Sequence, residues 1–134
     1  MQEPVVSKTV QANGVATVML NRPEVFNGYN QDLLIELKRI LAEIETDDSV
    51  RVILLRGAGK HFSAGADVNW FKKLAKASEE EQLSAARLSF SAMKTLDEIS
   101  KPTIALIHNA CYGGGVGYAA ACDIVIASEN SKFA

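Results

Sequence analysis

The sequence predicts an α/β fold with a largely parallel sheet, on three observations. Strand-like segments alternate with helical patterns in the order β-β-α-β-α-β-α-β. The strand-like runs at residues 50–55 and 103–108 are short and almost wholly apolar, as in a sheet buried between helices. Small-residue turns stand where these strands feed helices, which suits right-handed crossovers.

The elements follow in order. Residues 5–11 alternate as a strand, Asn13-Gly14 is a hairpin turn signal, and residues 15–20 form the partner strand. Pro23 ends that strand, because it lacks the N–H a central strand needs. Asn30 caps a helix with Asp32 in its first turn, and Leu33, Leu34, Leu37, Ile40, Leu41 and Ile44 trace one apolar face. Residues 57–66 make a small-residue loop and residues 67–76 a short helix. Ser78 and Glu81 form a capping box for a long helix whose expected buried stripe is Leu83, Ala86, Phe90, Met93, Leu96 and Ile99. Lys101-Pro102 stops it. A helix over 113–122 and a strand over 123–127 complete the pattern.

Composition narrows the function classes. The chain has 134 residues, 48% of them hydrophobic and 22% charged, which argues against disorder and against a fibrous or disulfide scaffold. The length fits one domain, although the sequence stops at Lys132-Phe133-Ala134 straight after a strand-like run. A net charge of −2 gives no electrostatic footprint for nucleic acid; the Lys72, Lys73, Lys76 cluster reads as a solvated face. The longest apolar run, residues 118–122, is far below the roughly 20 residues of a spanning helix, and the N-terminus lacks signal-peptide character. Cys111 and Cys122 make no disulfide framework, so a reducing, cytoplasmic setting is expected.

Two segments can carry chemistry. In residues 57–67 and again in residues 109–117, a strand feeds a glycine-bearing loop that feeds a helix. Bare backbone lets a ligand approach closely, and N–H groups at a helix start are unpaired. A carbonyl oxygen placed there meets donors and a favourable dipole. Plain βα turns and close helix packing are the alternatives. Gly115-x-Gly117-x-x-Ala120 matches a dinucleotide pattern only weakly: the acidic residue expected about 20 positions later would fall beyond Ala134, and Asp123 and Glu129 come too early. His61, His108, Cys111 and Cys122 match no standard zinc spacing, and Ser63 lacks a nucleophile-elbow frame.

Four segments together resemble the crotonase, or enoyl-CoA hydratase/isomerase, family. They are Leu20-Asn21-Arg22-Pro23-Glu24-Val25-Phe26-Asn27, His61-Phe62-Ser63-Ala64-Gly65-Ala66-Asp67, Gly113-Gly114-Gly115 and Ala121-Cys122-Asp123-Ile124. The resemblance implies a (ββα)-repeat fold, here in an N-terminal, apparently truncated part of one domain covering 1–134. It implies an acyl-CoA thioester ligand, with the coenzyme A carried by the substrate and no metal or redox cofactor. The oxyanion hole would be the backbone N–H groups of Ala66 and Gly114. Val25, Asn27, Ala64, Ala66, Asp67, Val68 and Asn69 would lie along the CoA moiety.

Hydratases of this family use two glutamates for proton transfer. The first would stand at position 117, which is Gly117 here, and the second would fall beyond Ala134. Residues 66–70 and 113–117 are most similar to the methylglutaconyl-CoA and isohexenylglutaconyl-CoA hydratase subgroup, so a branched 2-enoyl-CoA is the expected substrate. The resemblance also implies a homotrimer or dimer of trimers for a full-length protein. An isomerase using one carboxylate, or a non-catalytic CoA-binding or assembly module, are the alternatives.

Overall fold

The computed structural model describes residues 3–134. In chain order the elements are β1 (Val6–Val10), β2 (Val15–Leu20), a 3-10 turn (Pro23–Val25), α1 (Gln31–Glu45), β3 (Val52–Gly57), α2 (Val68–Ala75), α3 (Glu79–Glu98), β4 (Thr103–Ile107), β5 (Ala110–Cys111), α4 (Gly114–Ala121), β6 (Ile124–Ala127) and β7 (Lys132–Phe133). The main sheet has the order β1-β2-β3-β4-β6. Only the β1–β2 hairpin is antiparallel; β2–β3, β3–β4 and β4–β6 are parallel. The α/β expectation therefore holds. The short strands β5 and β7 pair in parallel in a second sheet that the sequence pattern did not reveal.

α1 forms as its sequence dictates. The Asn30 side chain accepts from the Leu33 N–H at 3.0 Å, and the six apolar residues of its stripe are all buried. All but Leu34 share one core with Ala16, Val18, Leu20, Ile53, Leu55, Ala105 and Ile107 from alternate positions of the central strands. Burying each Leu or Ile contributes about 1.5–3 kcal/mol, so packing rather than intrinsic propensity fixes α1.

Two expectations change. The central strands are fully buried on one face only: Val52, Leu54, Ile104 and Leu106 are half-buried, Arg56 is exposed, and all four residues of β6 are exposed. The long-helix stripe is buried only toward its C-terminal end. Leu96 is buried and Met93 and Ile99 half-buried, whereas Leu83 (49%), Ala86 and Phe90 (68%) are exposed; Ala92, outside the expected stripe, is buried. Ala85 and Leu88, which border the cavities beside α1 and α2, are half-buried instead, so periodicity there marks an apolar face and not what covers it. No helix among the described residues is long and apolar enough to cross a membrane.

Candidate functional site

The loop after β2 is held from beneath by Asn27. Its side chain is fully buried; Nδ2 reaches the carbonyls of Ala58, His61 and Phe62 at 2.8, 2.9 and 3.1 Å, and Oδ1 accepts from the Arg22 N–H at 2.9 Å. Asn27 takes a left-handed conformation (φ 56), which asparagine tolerates. Its polar groups are fully engaged within the fold. The structure therefore places Asn27 under the loop rather than along the cleft where the sequence led us to expect it.

Arg22 extends from the same loop. Its guanidinium donates to the Gly28 carbonyl and to Asp67 Oδ2, the latter at 3.0 Å. Asp67 also caps α2 by accepting from the Trp70 N–H at 3.0 Å. Burial works against its charge, but the Trp70 N–H and the Arg22 guanidinium outweigh burial and hold the carboxyl below its ordinary value.

The two glycine loops touch backbone to backbone. Gly65 has φ +94, and a Cβ there would lie 2.9 Å from the Tyr112 carbonyl and 3.3 Å from the Gly114 nitrogen. Only glycine meets both demands. On Gly114 a Cβ would lie 2.3–2.7 Å from Oη, Cε1 and Cζ of Tyr29. The contact at Gly65 draws Ala66 toward the start of α4. Among the described residues, neither the Ala66 N–H nor the Gly114 N–H donates to an acceptor.

Two cavities meet at Ala66. One, of about 240 Å³, is lined by Val25, Phe26, Ala64, Asp67, Val68 and Asn69 together with Ala66. The other, of about 310 Å³, is mostly apolar and is lined by Ala66, Tyr29, Trp70, Phe71, Leu74 and Ala85 among others. Six of the seven residues expected along the ligand thus border one cavity, and Asn27 is the exception. Phe26, Glu24, Tyr29 and Arg22 belong to the site without having been picked out as ligand contacts. Arg22, Glu24 and Phe26 lie inside the segment 20–27 that carries the resemblance; for Tyr29 no local signal exists.

The remaining candidates do not assemble. His61 Nδ1 accepts from the Ala110 N–H at 3.3 Å, and His108 Nε2 lies 2.8 Å from the Gly59 carbonyl. Burial pushes the Cys111 thiol up to about 11, so it carries no thiolate character at neutral pH. Among the described residues no group of three or more His, Cys, Asp or Glu side chains is placed to hold a metal ion.

The α/β fold thus brings onto two touching glycine loops a pair of backbone N–H groups that donate to nothing within the described fold, with two cavities meeting beside them at Ala66. The sequence profile of the enoyl-CoA hydratase/isomerase family matches residues 10–134. The chain is 39% identical over 127 residues to the mitochondrial delta(3,5)-delta(2,4)-dienoyl-CoA isomerase of Dictyostelium discoideum, covering 89% of this chain and 43% of that one. It is 38% identical over 120 residues to the short-chain-enoyl-CoA hydratase of Clostridium acetobutylicum, covering 89% and 45%. A crystal structure of an enoyl-CoA hydratase from Shewanella pealeana superposes with a TM-score of 0.92 at 36% identity, over 96% of this chain and 48% of that one. The chain spans about half the length of the relatives it matches. It belongs to the enoyl-CoA hydratase/isomerase, or crotonase, family.

Proposed function

We propose that the chain binds an acyl-CoA thioester across Ala66. The CoA moiety follows the cavity bordered by Val25, Ala64 and Val68, and the acyl group enters the apolar cavity beside Trp70 and Phe71. The thioester oxygen sits on the N–H groups of Ala66 and Gly114, which stabilise the enolate as charge develops there. The observation that carries this reading is the backbone contact of Gly65 with Gly113 and Gly114, next to two N–H groups that donate to nothing within the fold. No metal or redox cofactor takes part.

The parent reaction is hydration of a branched 2-enoyl-CoA of the methylglutaconyl type. Gly117 offers no acid or base on α4, and the position expected for the second glutamate lies outside residues 1–134, so these 134 residues by themselves bind and polarise the thioester with little or no hydration. Double-bond isomerisation is the second reading, favoured by the identity with dienoyl-CoA isomerases. We further propose a cytoplasmic setting, in keeping with two free thiols, and trimeric assembly, in keeping with the exposed apolar side chains of α3 and β6.

Titration with acetoacetyl-CoA tests the reading, because its enolate absorbs light and reports polarisation of the carbonyl. Saturable binding with enolate absorption is expected. Failure to bind, or rapid hydration of methylglutaconyl-CoA by the 134-residue chain, contradicts it.

A further inference from the structure

Tyr29 packs against the carriers of both free N–H groups. Its backbone embraces Ala66: the Tyr29 N–H donates to the Gly65 carbonyl at 2.9 Å, and the Asp67 N–H donates to the Tyr29 carbonyl at 2.8 Å. Its ring lies on Gly114, so close that a Cβ there would overlap the phenol. The same residue therefore touches both carriers of the N–H pair.

The ring has little freedom. It packs edge-on against Trp70, with centroids 6.2 Å apart, and against Tyr118 at 6.0 Å. Its hydroxyl enters no hydrogen bond among the described residues. It is also the only titratable side chain lining the apolar cavity. Burial raises its pKa, so the phenol carries its proton at neutral pH and can donate to an anion.

We propose that the Tyr29 hydroxyl is a third hydrogen-bond donor to the thioester oxygen, acting beside the N–H groups of Ala66 and Gly114. This rests on the acyl-CoA reading above and adds a side-chain donor to it. The neighbouring phenol of Tyr118 is fully buried in the core and lies outside the cavity lining, so it serves as a control.

The test compares wild type, Tyr29→Phe and Tyr118→Phe for affinity toward free CoA, enolate absorption of bound acetoacetyl-CoA, and melting temperature. Tyr29→Phe keeps the ring and removes only the donor. Its CoA affinity and melting temperature are expected to stay near wild type, while enolate absorption falls by about tenfold or more, the scale of one hydrogen bond to a charged acceptor. Tyr118→Phe is expected to keep the full absorption. Undiminished absorption in Tyr29→Phe overturns the inference and leaves the two-donor site standing. A parallel loss of CoA affinity and melting temperature, or an equal loss in Tyr118→Phe, assigns the ring a packing role and also overturns it. Absence of enolate absorption in wild type overturns both this inference and the reading beneath it.

Discussion

The Arg22 guanidinium and the Asp67 carboxylate, 45 residues apart in sequence, meet at 3.0 Å and lock two loops of the site together. The pair is largely removed from solvent, with Arg22 16% and Asp67 8% exposed. Asp67 also caps α2, so one carboxylate sets both the loop contact and the direction in which the helix leaves Ala66.

Asp67→Asn separates these roles, since asparagine remains a good cap but loses the charge. A loss of about 2–3 kcal/mol is expected, somewhat below the cost of breaking a fully buried pair because Arg22 keeps some solvent. Chemical denaturation measures it.

The same carboxylate gives a pH signature. Its folded value lies below the unfolded one, so the unfolded chain binds more protons near acid pH. The stabilisation is present above the ordinary aspartate value of about 3.9 and is lost as pH falls through the lower folded value. Thermal unfolding across that range is expected to show the loss in wild type and a shallower slope in Asp67→Asn.

Asn27→Ala removes three donated contacts and one accepted bond from a fully buried side chain. The stranded carbonyls of Ala58, His61 and Phe62 lose their partner, and a cost of about 3 kcal/mol is expected. The midpoint of urea unfolding reads this. Ligand affinity measured under fully native conditions should change less than stability does.

Gly114 and Gly117 predict opposite outcomes on one helix. A Cβ at Gly117 comes no closer than 3.6 Å to its nearest neighbour, the Met93 side chain, whereas at Gly114 it would overlap the fixed Tyr29 phenol. Gly117→Ala is expected to stabilise by up to about 1 kcal/mol through helix propensity. Gly114→Ala is expected to destabilise by about 1–3 kcal/mol through overpacking and to abolish enolate absorption. Melting temperature and acetoacetyl-CoA titration of both variants check the pair.

The sequence revealed most where one helix or one loop decides the outcome. The α1 stripe and the caps at Asn30 and Ser78 follow from local periodicity and spacing, and all appear as expected. The α3 stripe fails at Leu83 and Phe90 because periodicity says which side is apolar and not what covers it. The glycine loops were legible because glycine is costly without a need for bare backbone. Asn27 belonged to the right motif, but its burial beneath the loop depends on carbonyls more than thirty residues away. Tyr29 left no sequence signal, since its position arises only where three separate loops converge.

The central claim is that the N–H groups of Ala66 and Gly114 together hold the thioester oxygen. Amide NMR of the labelled protein during acetoacetyl-CoA titration tests it residue by residue. The account predicts that the Ala66 and Gly114 amide protons move downfield and saturate together at one ligand concentration. Shifts confined to the cavity around Val25 and Val68, with both of these amides unmoved, would contradict it.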